Sequence, residues 1–176
     1  MAKIFPGRMT HHHEGELVVF HIGMRINKVW RSDLWIPVLN AMTPMLTELS
    51  KDPDSGMLGF DLLIGRNGPY VVQYWSSIEK LYDYASNRDA AHRPAWSAFN
   101  ARARKAPGAV GIWHETFHVQ RAESMYVGMP RFGLAGATEH LPVTSRGDRA
   151  RARYAEGRTG TTGAPGAGAG ATPPRP

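Results

Sequence analysis

The sequence predicts an α+β fold in which a four-stranded antiparallel sheet follows the order β-α-β-β-α-β, the ferredoxin-like arrangement. Three observations predict it. Four short segments are apolar or alternate as strands do, two longer segments repeat apolar residues at helical spacing, and turn residues separate them in that order. The segments are strands at 17–25, 57–64, 70–75 and 111–118, and helical regions at 33–50 and 76–105, the second broken at 87–89.

The first predicted strand is apolar on both of its faces. Its alternate residues put Val18, Phe20, Ile22 and Met24 on one face and Leu17, Val19 and His21 on the other. Helices can cover only one face of such a sheet, so the second face needs another cover. We therefore expect a homodimer in which two sheets face each other and close a barrel-like cavity.

The first predicted helix begins where Ser32 and Asp33 offer N-cap side chains. Pro37 falls in its first turn and is tolerated there, whereas Pro44 lies deeper and should kink the helix or end it early. The second helical region begins with Ser76 as the N-cap and Glu79 three residues later, the pattern of a capping box. Its later part carries an aligned stripe of His92, Trp96, Phe99 and Ala103.

Composition divides the chain into three parts. Residues 1–14 are expected to form a flexible arm, 15–143 one barrel domain with a C-terminal extension, and 144–176 a disordered basic tail rich in Gly, Ala and Pro. The net charge is +6, but the tail holds six arginines against two acids, 6 − 2 = +4, which leaves only +2 elsewhere. This distribution argues against a dedicated nucleic-acid groove, although weak contact of the tail with polyanions stays open.

The sequence lacks the features of disulfide-stabilised proteins and those of secreted or membrane-spanning proteins. There is no cysteine, so the chain has no disulfide framework and no thiolate chemistry. No apolar run reaches the length of a signal-peptide core or the about 20 residues that span a bilayer. We expect a cytoplasmic protein without a membrane association.

The last predicted strand, 111–118, is the strongest candidate for a functional site. Strand alternation puts His114 and His118 on one face with Ile112 and Thr116, and turns Glu115 to the other. A histidine pKa near about 6.5 suits proton transfer at neutral pH, so both imidazoles are candidates for a general base or a substrate hydrogen-bonder.

Several motifs resemble one known family. They are YWSSIEKL at 74–81, AHRPAW at 91–96, GIWHET at 111–116, ESMYVGMP at 123–130 and FGL at 132–134. Together with the order of elements, they resemble the dimeric α+β barrel superfamily. Within it, the chain is similar to the monooxygenase-like family named after an enzyme of fumagillin biosynthesis. The resemblance spans roughly residues 15–140 and does not include the tail.

The resemblance implies a cavity enzyme with a small organic substrate, often in secondary metabolism such as antibiotic biosynthesis. Relatives include cofactor-independent quinone-forming monooxygenases, haem-degrading monooxygenases and haem-containing aldoxime dehydratases, and membership alone does not choose among them. By motif, His92 matches the helical histidine that ligates haem iron in the haem-degrading relatives. His92 is therefore a candidate ligand or proton acceptor, and in the haem version His114 or His21 is expected to act on the opposite side.

Four more residues are candidates for contact with a substrate. His21 is expected to point to the same cavity as His114, and Trp75 and His118 are expected to line it. Tyr126 belongs to the extension, which either wraps the partner subunit or covers the pocket. Each site role has a structural alternative. Trp75 would then be a core residue, His118 a solvated histidine at a strand edge, and His92 a core histidine bonded to a backbone carbonyl.

The resemblance, taken together with these candidate residues, implies a monooxygenase-like enzyme for a small, largely apolar metabolite, either cofactor-free or haem-dependent. His114 and His92 are its expected catalytic residues. Two alternatives stay open: a haem-dependent dehydratase of the aldoxime type, and a small-molecule-binding module without catalysis. Gly-x-Gly patterns occur only in the tail, so no dinucleotide loop is expected, and no motif indicates a zinc or di-iron site.

Overall fold

The structure of the chain, a computed structural model, describes residues 2–87, 92–144 and 147–157, with the backbone alone at His92. In chain order its elements are β1 (Phe5–His12), β2 (Val18–Ile26), α1 (Ser32–Lys51), β3 (Met57–Gly65), β4 (Gly68–Trp75), α2 (Ile78–Ser86), α3 (His92–Lys105), β5 (Val110–His118), β6 (Tyr126–Met129), α4 (Leu134–Ala137), β7 (Glu139–Pro142) and α5 (Ala150–Glu156).

Four strands form the predicted antiparallel sheet, in the order β3-β4-β2-β5. Ile22 lies opposite Val71 on one side and His114 on the other, so these three residues share what we call the first face. His21 lies opposite Val72 and Glu115, and this set belongs to the second face. The ferredoxin-like α+β fold expected from the sequence is thus confirmed.

The helix α1 tolerates Pro37 as expected, whereas its length and its cap differ from expectation. It runs through Pro37 and Pro44 to Lys51, so the early end expected at Pro44 does not occur. Arg31 occupies the N-cap without a side-chain cap bond, and its guanidinium instead donates to Asp33 at 2.8 and 2.9 Å. The apolar side of α1 packs on the sheet, and this packing offsets the hydrogen bond that a proline removes.

The cap of α2 lies one residue later than the capping box predicts. Ser77 is the N-cap, and its Oγ accepts a hydrogen bond from the Lys80 amide at 3.1 Å. Ser76 is held elsewhere, because its amide donates to the Gly56 carbonyl at 2.8 Å. A further orphan amide, that of Ile78, donates to the Glu16 carboxylate at 2.9 Å.

The main core lies on the first face, at the end of the sheet where β2 begins. Val18 and Trp75 are fully buried there against Leu49 of α1 and Leu81 of α2. Because Leu49 lies near the end of α1 and Val18 begins β2, the helix runs back along the strand. Its first half therefore covers the far end of the same face.

The segment after β5 covers part of the second face within the same chain. The Gly133 amide donates to Asp61 Oδ2 at 3.0 Å, and Asp61 belongs to the second face of β3. Gly59, on the same face, meets α4 so closely that a Cβ there would lie 3.0 Å from the Ala137 Cβ. The rest of the second face, over β2 and β5, carries exposed apolar groups such as Phe117.

A second, three-stranded sheet corrects the expectation of a flexible arm at 1–14. The strand β1 lies between β6 and β7 and pairs antiparallel with both. Its His11 is buried, and the ring Nδ1 lies 2.7 Å from Ser124 Oγ. The sequence pattern of β1 alone does not predict a strand, because the two strands with which it pairs lie more than 110 residues later in the chain.

The tail expected to be disordered from 144 onward is ordered in part. Residues 150–156 form α5, and its Arg153 is buried although charged. The Arg153 guanidinium forms an ion pair with Glu123 and donates to the Gly147 carbonyl at 2.7 Å. Residues 145–146 and 158–176 of the predicted tail lie outside the described part of the chain.

Within the described ranges, no helix combines the length and apolarity that a membrane crossing needs.

Replacing Arg153 by Ala should detach α5, because the change leaves the half-buried carboxylate of Glu123 without its counter-ion. We expect a loss of about 3 kcal/mol in the free energy of unfolding, the scale for removing one partner of a buried ion pair. Urea denaturation measures this, and hydrogen exchange across 147–157 locates it. The matched control is Arg151→Ala, an exposed arginine of the same helix. Equal stability of the two variants would contradict this role of Arg153.

Candidate functional site

The best-formed cavity of the described chain lies between the first face of the sheet and the helices α1 and α3. Its volume is about 330 Å³. Strand residues floor it and helix residues form its walls, among them Ile22, Met24, Val71 and Ile112 from the sheet, Val38, Met42 and Met45 from α1, and Trp96, Phe99 and Arg102 from α3. The volume lies at the lower end of the range for small-molecule sites.

Side-chain size explains why this end of the sheet is hollow. Helix residues facing the cavity are short where the two helices meet the sheet, namely Pro37, Ala41, Ala95 and Ala98. At the other end of α1, Leu46 and Leu49 are buried and fill the space above the sheet. The same helix therefore seals one end of the face and leaves room at the other.

One wall of the cavity is aromatic. The rings of Trp96 and Phe99 stack with centroids 5.5 Å apart and an angle of 26° between their planes. Trp96 remains half exposed, which places it at the opening of the cavity. Flat rings and the thioethers of Met42 and Met45 favour a flat, apolar ligand.

Arg102 is the charged residue among the described lining of this cavity. Its side chain is half-buried in the last turn of α3. Within the part of the chain that the structure describes, its guanidinium has neither an ion pair nor a hydrogen bond to a protein acceptor. The cavity is thus apolar with one cationic group at its wall.

His114 lies on the first face, next to the cavity. Its register partner Ile22 and its strand neighbour Ile112 both line the cavity. The imidazole itself is exposed, and its ring centroid lies 5.7 Å from that of Phe20. His114 therefore lies where it can meet a group that protrudes from the cavity, rather than inside it.

Two residues expected to line the cavity lie at the other end of the first face. Trp75 is fully buried in the core, where its indole N–H donates to Gln73 Oε1 at 3.0 Å. His118 is exposed, and its Nε2 lies 3.4 Å from Glu16, the residue that caps α2. Neither is among the residues that line the cavity.

His21 is on the opposite side of the sheet from the place expected for it. It belongs to the second face, where its Nδ1 lies 3.9 Å from Glu115 and its ring lies edge-on to Phe117 at 5.4 Å. His21 and His114 therefore do not share a cavity. The register decides this, since His21 pairs with Glu115 and its neighbour Ile22 pairs with His114.

Tyr126, the first residue of β6, lies against the second face in a polar cluster beneath α4. Its hydroxyl accepts a long hydrogen bond of 3.4 Å from the Ala135 amide, and it is not among the residues that line the cavity. Burial raises the pKa of the neighbouring Tyr74 to about 12, and the charge of Asp61 and the Tyr126 phenol add to this shift. Burial also raises the pKa of Asp61, against the Gly133 amide that donates to it.

His92 is the first residue of α3, and its side chain lies outside what the structure describes. Helical spacing puts position 92 on the same stripe as Trp96 and Phe99, both of which line the cavity. Across the described ranges, no group of three or more His, Asp or Glu side chains is arranged to hold a metal ion.

The sequence reasoning missed Arg102 and the two methionines of α1 as lining residues. Helical spacing puts Met42 on the apolar stripe of α1, but membership of that stripe does not tell a filled core from a hollow one. The available signal was the run of small residues at 95 and 98 beside Trp96, which indicates a gap next to a large ring. Arg102 shares a helix face with those residues at a spacing of four and seven.

A family model described as monooxygenase af470-like matches residues 17–134 of this chain. The chain is similar to monooxygenase af470 of Aspergillus fumigatus, with 26% identity over 151 residues. The match covers 72% of this chain and 52% of that protein, so the chain spans about half the length of the curated relative.

Solved structures show similar folds. One is an aldoxime dehydratase in complex with butyraldoxime, with a TM-score of 0.50, 16% identity, and coverage of 64% of this chain and 34% of that one. Another is SnoaB, a cofactor-independent oxygenase from Streptomyces nogalater, with a TM-score of 0.39, 13% identity, and coverage of 61% and 97%. At such identities a likeness concerns the fold alone.

Proposed function

We propose that this chain, which belongs to the monooxygenase af470-like family, is a monooxygenase-like enzyme for a small, largely apolar metabolite. The substrate binds in the cavity between the sheet and the helices α1 and α3. The observation that carries the proposal is the cavity itself, about 330 Å³ with apolar walls and an aromatic opening. Such a site excludes water around a bound molecule and fixes its orientation by shape.

The cofactor-free version of this reaction needs a proton acceptor next to the cavity. A substrate methylene loses a proton, the carbanion reduces O₂, and loss of water leaves a carbonyl: the carbon exchanges two hydrogens for one oxygen, and the second oxygen leaves in the water. His114 lies opposite Ile22, a residue that lines the cavity, so we assign His114 the role of the base that accepts this proton. Its exposure lets the proton pass on to solvent.

A haem-dependent version would require His92. The described lining contains no imidazole, thiolate or phenol side chain facing the cavity, and it offers one cation, Arg102, for two propionates. The ring of Tyr70, whose residue borders the cavity, packs instead against Trp113 at 5.9 Å on the second face. The described lining alone therefore does not fit haem, and we route no step through it.

One observation favours a second candidate function, that of a small-molecule binder without catalysis. No carboxylate or imidazole is among the described residues that line the cavity, and a carrier needs shape rather than proton transfer. The two functions differ in turnover, because a binder holds the molecule unchanged.

We also propose that two copies pair through the open part of the second face, over β2 and β5. Phe117 is 47% exposed there, and four residues earlier on the same face of β5 the ring of Trp113 packs against that of Tyr70. A Cβ on Gly23 would lie 2.8 Å from the Trp113 ring, so this ring lies over β2, and the face carries aromatic groups on either side of the pair of His21 and Glu115. Such a surface favours a second copy as its cover.

Filling the cavity should abolish binding of an apolar probe. In Ala98→Trp the new indole occupies the space between α3 and the sheet, and we expect 2-naphthamide to lose measurable affinity in isothermal titration calorimetry. The control is Ser97→Trp, which adds the same side chain to an exposed position of the same helix. Unchanged affinity in Ala98→Trp, with an intact melting transition, would place the substrate elsewhere.

Replacing His114 by Ala should slow oxygenation by about 100-fold, the lower scale for loss of a general base. Oxygen uptake with the anthrone dithranol as the probe measures this, and His12→Ala, a histidine of the second sheet, serves as the control. Wild-type uptake no faster than the uncatalysed rate would support the binder instead. A Soret band in the purified protein that disappears in His92→Ala would establish the haem version.

Replacing Phe117 by Glu should dissociate the dimer, because it buries a charge within the proposed interface. Light scattering coupled to gel filtration should then report a single subunit where the wild type reports two. Leu141→Glu provides the matched control, since Leu141 is similarly exposed, at 41%, but belongs to the second sheet. A monomeric wild type would refute the pairing.

A further inference from the structure

We propose that the substrate carries an oxyanion at one end of a flat apolar body and that Arg102 binds this oxyanion. The inference rests on the proposed function, because it concerns the same cavity. It goes beyond that function in naming the charge of the substrate, which an apolar lining alone does not indicate.

The position of Arg102 in α3 leaves it without an acidic neighbour. The helix contains no Asp or Glu between His92 and Lys105. The positions three and four residues from Arg102 are Phe99, Lys105, Ala98 and Ala106, so no ion pair at the usual helical spacing can form. The part of α1 that lines the cavity, from Pro37 to Met45, is likewise without a carboxylate.

Arg102 is half-buried among apolar residues, and such surroundings make an unpaired charge costly. Arg102 borders the main cavity and also a small gap lined by Leu34, Val38 and Val110. A half-buried cation with apolar groups on both sides loses hydration without gaining a partner. A ligand oxyanion supplies that partner, and the low polarity of the walls strengthens the attraction.

The geometry of the lining specifies the rest of the molecule. The stacked rings of Trp96 and Phe99 lie on the same helix as Arg102, three and six residues before it. Because Trp96, Phe99 and Arg102 follow one another at intervals of three residues, one flat ligand can lie along the two rings with its end at the guanidinium. The planar fork of arginine fits a carboxylate with two parallel hydrogen bonds, whereas a phenol ionises only if the site lowers its pKa.

The competing reading is that Arg102 is a surface residue whose aliphatic stem covers the cavity wall while its charged end reaches water. In that case the charge does not affect which ligand binds. An anionic ligand and its uncharged isostere would then bind equally well. The two readings therefore differ in a measurable ratio of affinities.

The test uses the full chain and two probes of nearly equal shape, 2-naphthoate and the uncharged 2-naphthamide, in isothermal titration calorimetry. We expect the wild type to bind naphthoate about tenfold or more tightly than naphthamide, the scale of a hydrogen bond to a charged group. Arg102→Gln should remove this preference and keep the affinity for naphthamide. Arg102→Lys should keep part of it, because the charge remains but the fork is lost. The control is Arg104→Gln, an exposed arginine two residues later.

A third probe separates the two sources of an oxyanion. If 2-naphthol binds with the absorption spectrum of its anion, and Arg102→Gln restores the neutral spectrum, the site selects ionised phenols as well as carboxylates. If it binds in neutral form, the inference is confined to carboxylates. Equal affinity of the wild type for naphthoate and naphthamide would overturn the inference while leaving the proposed cavity in place. Failure of every probe to bind would overturn the cavity as substrate site, and the inference with it.

Discussion

The packing of α1 along β2 determines where this protein is solid and where it is hollow. The helix runs back over the strand, so its last turns meet the beginning of β2 and its first half covers the far end. Large side chains at Leu46 and Leu49 fill the first region, while Pro37 and Ala41 leave space in the second. The core and the cavity are thus two consequences of one helix on one face.

The sheet keeps its two faces chemically distinct. The first face carries the core, the cavity and His114 beside it. The second face carries His21 with Glu115, and under α4 the cluster of Asp61 and Tyr74. The sheet itself therefore separates these groups of the second face from a ligand bound on the first. A mutation on one face is separable from chemistry on the other.

Much of the fold could be predicted because it depends on local patterns. Strand alternation at 17–25 and 111–118 and helical spacing at 33–50 are properties of short segments, and the structure has these elements nearly where expected. The error at His21 has a different origin, since alternation sorts residues within one strand but does not say which face of a neighbouring strand they join. Register, set by the whole sheet, put His21 with Glu115. Likewise, the absence of a counter-ion for Arg102 is visible only once α1 and α3 are placed side by side. The role of His92 as a ligand or proton acceptor stays a prediction.

The three-stranded sheet has a consequence for how the chain acquires its shape. Phe5 pairs with Met129, and His12 pairs with Glu139. The strand β1 therefore gains its partners only after residues more than 110 positions later have been synthesised. Closing a loop of that length is slow relative to forming the hairpin of β3 and β4. During translation the four strands of the larger sheet can pair while β1 remains an unpaired edge, until β6 and β7 have been synthesised.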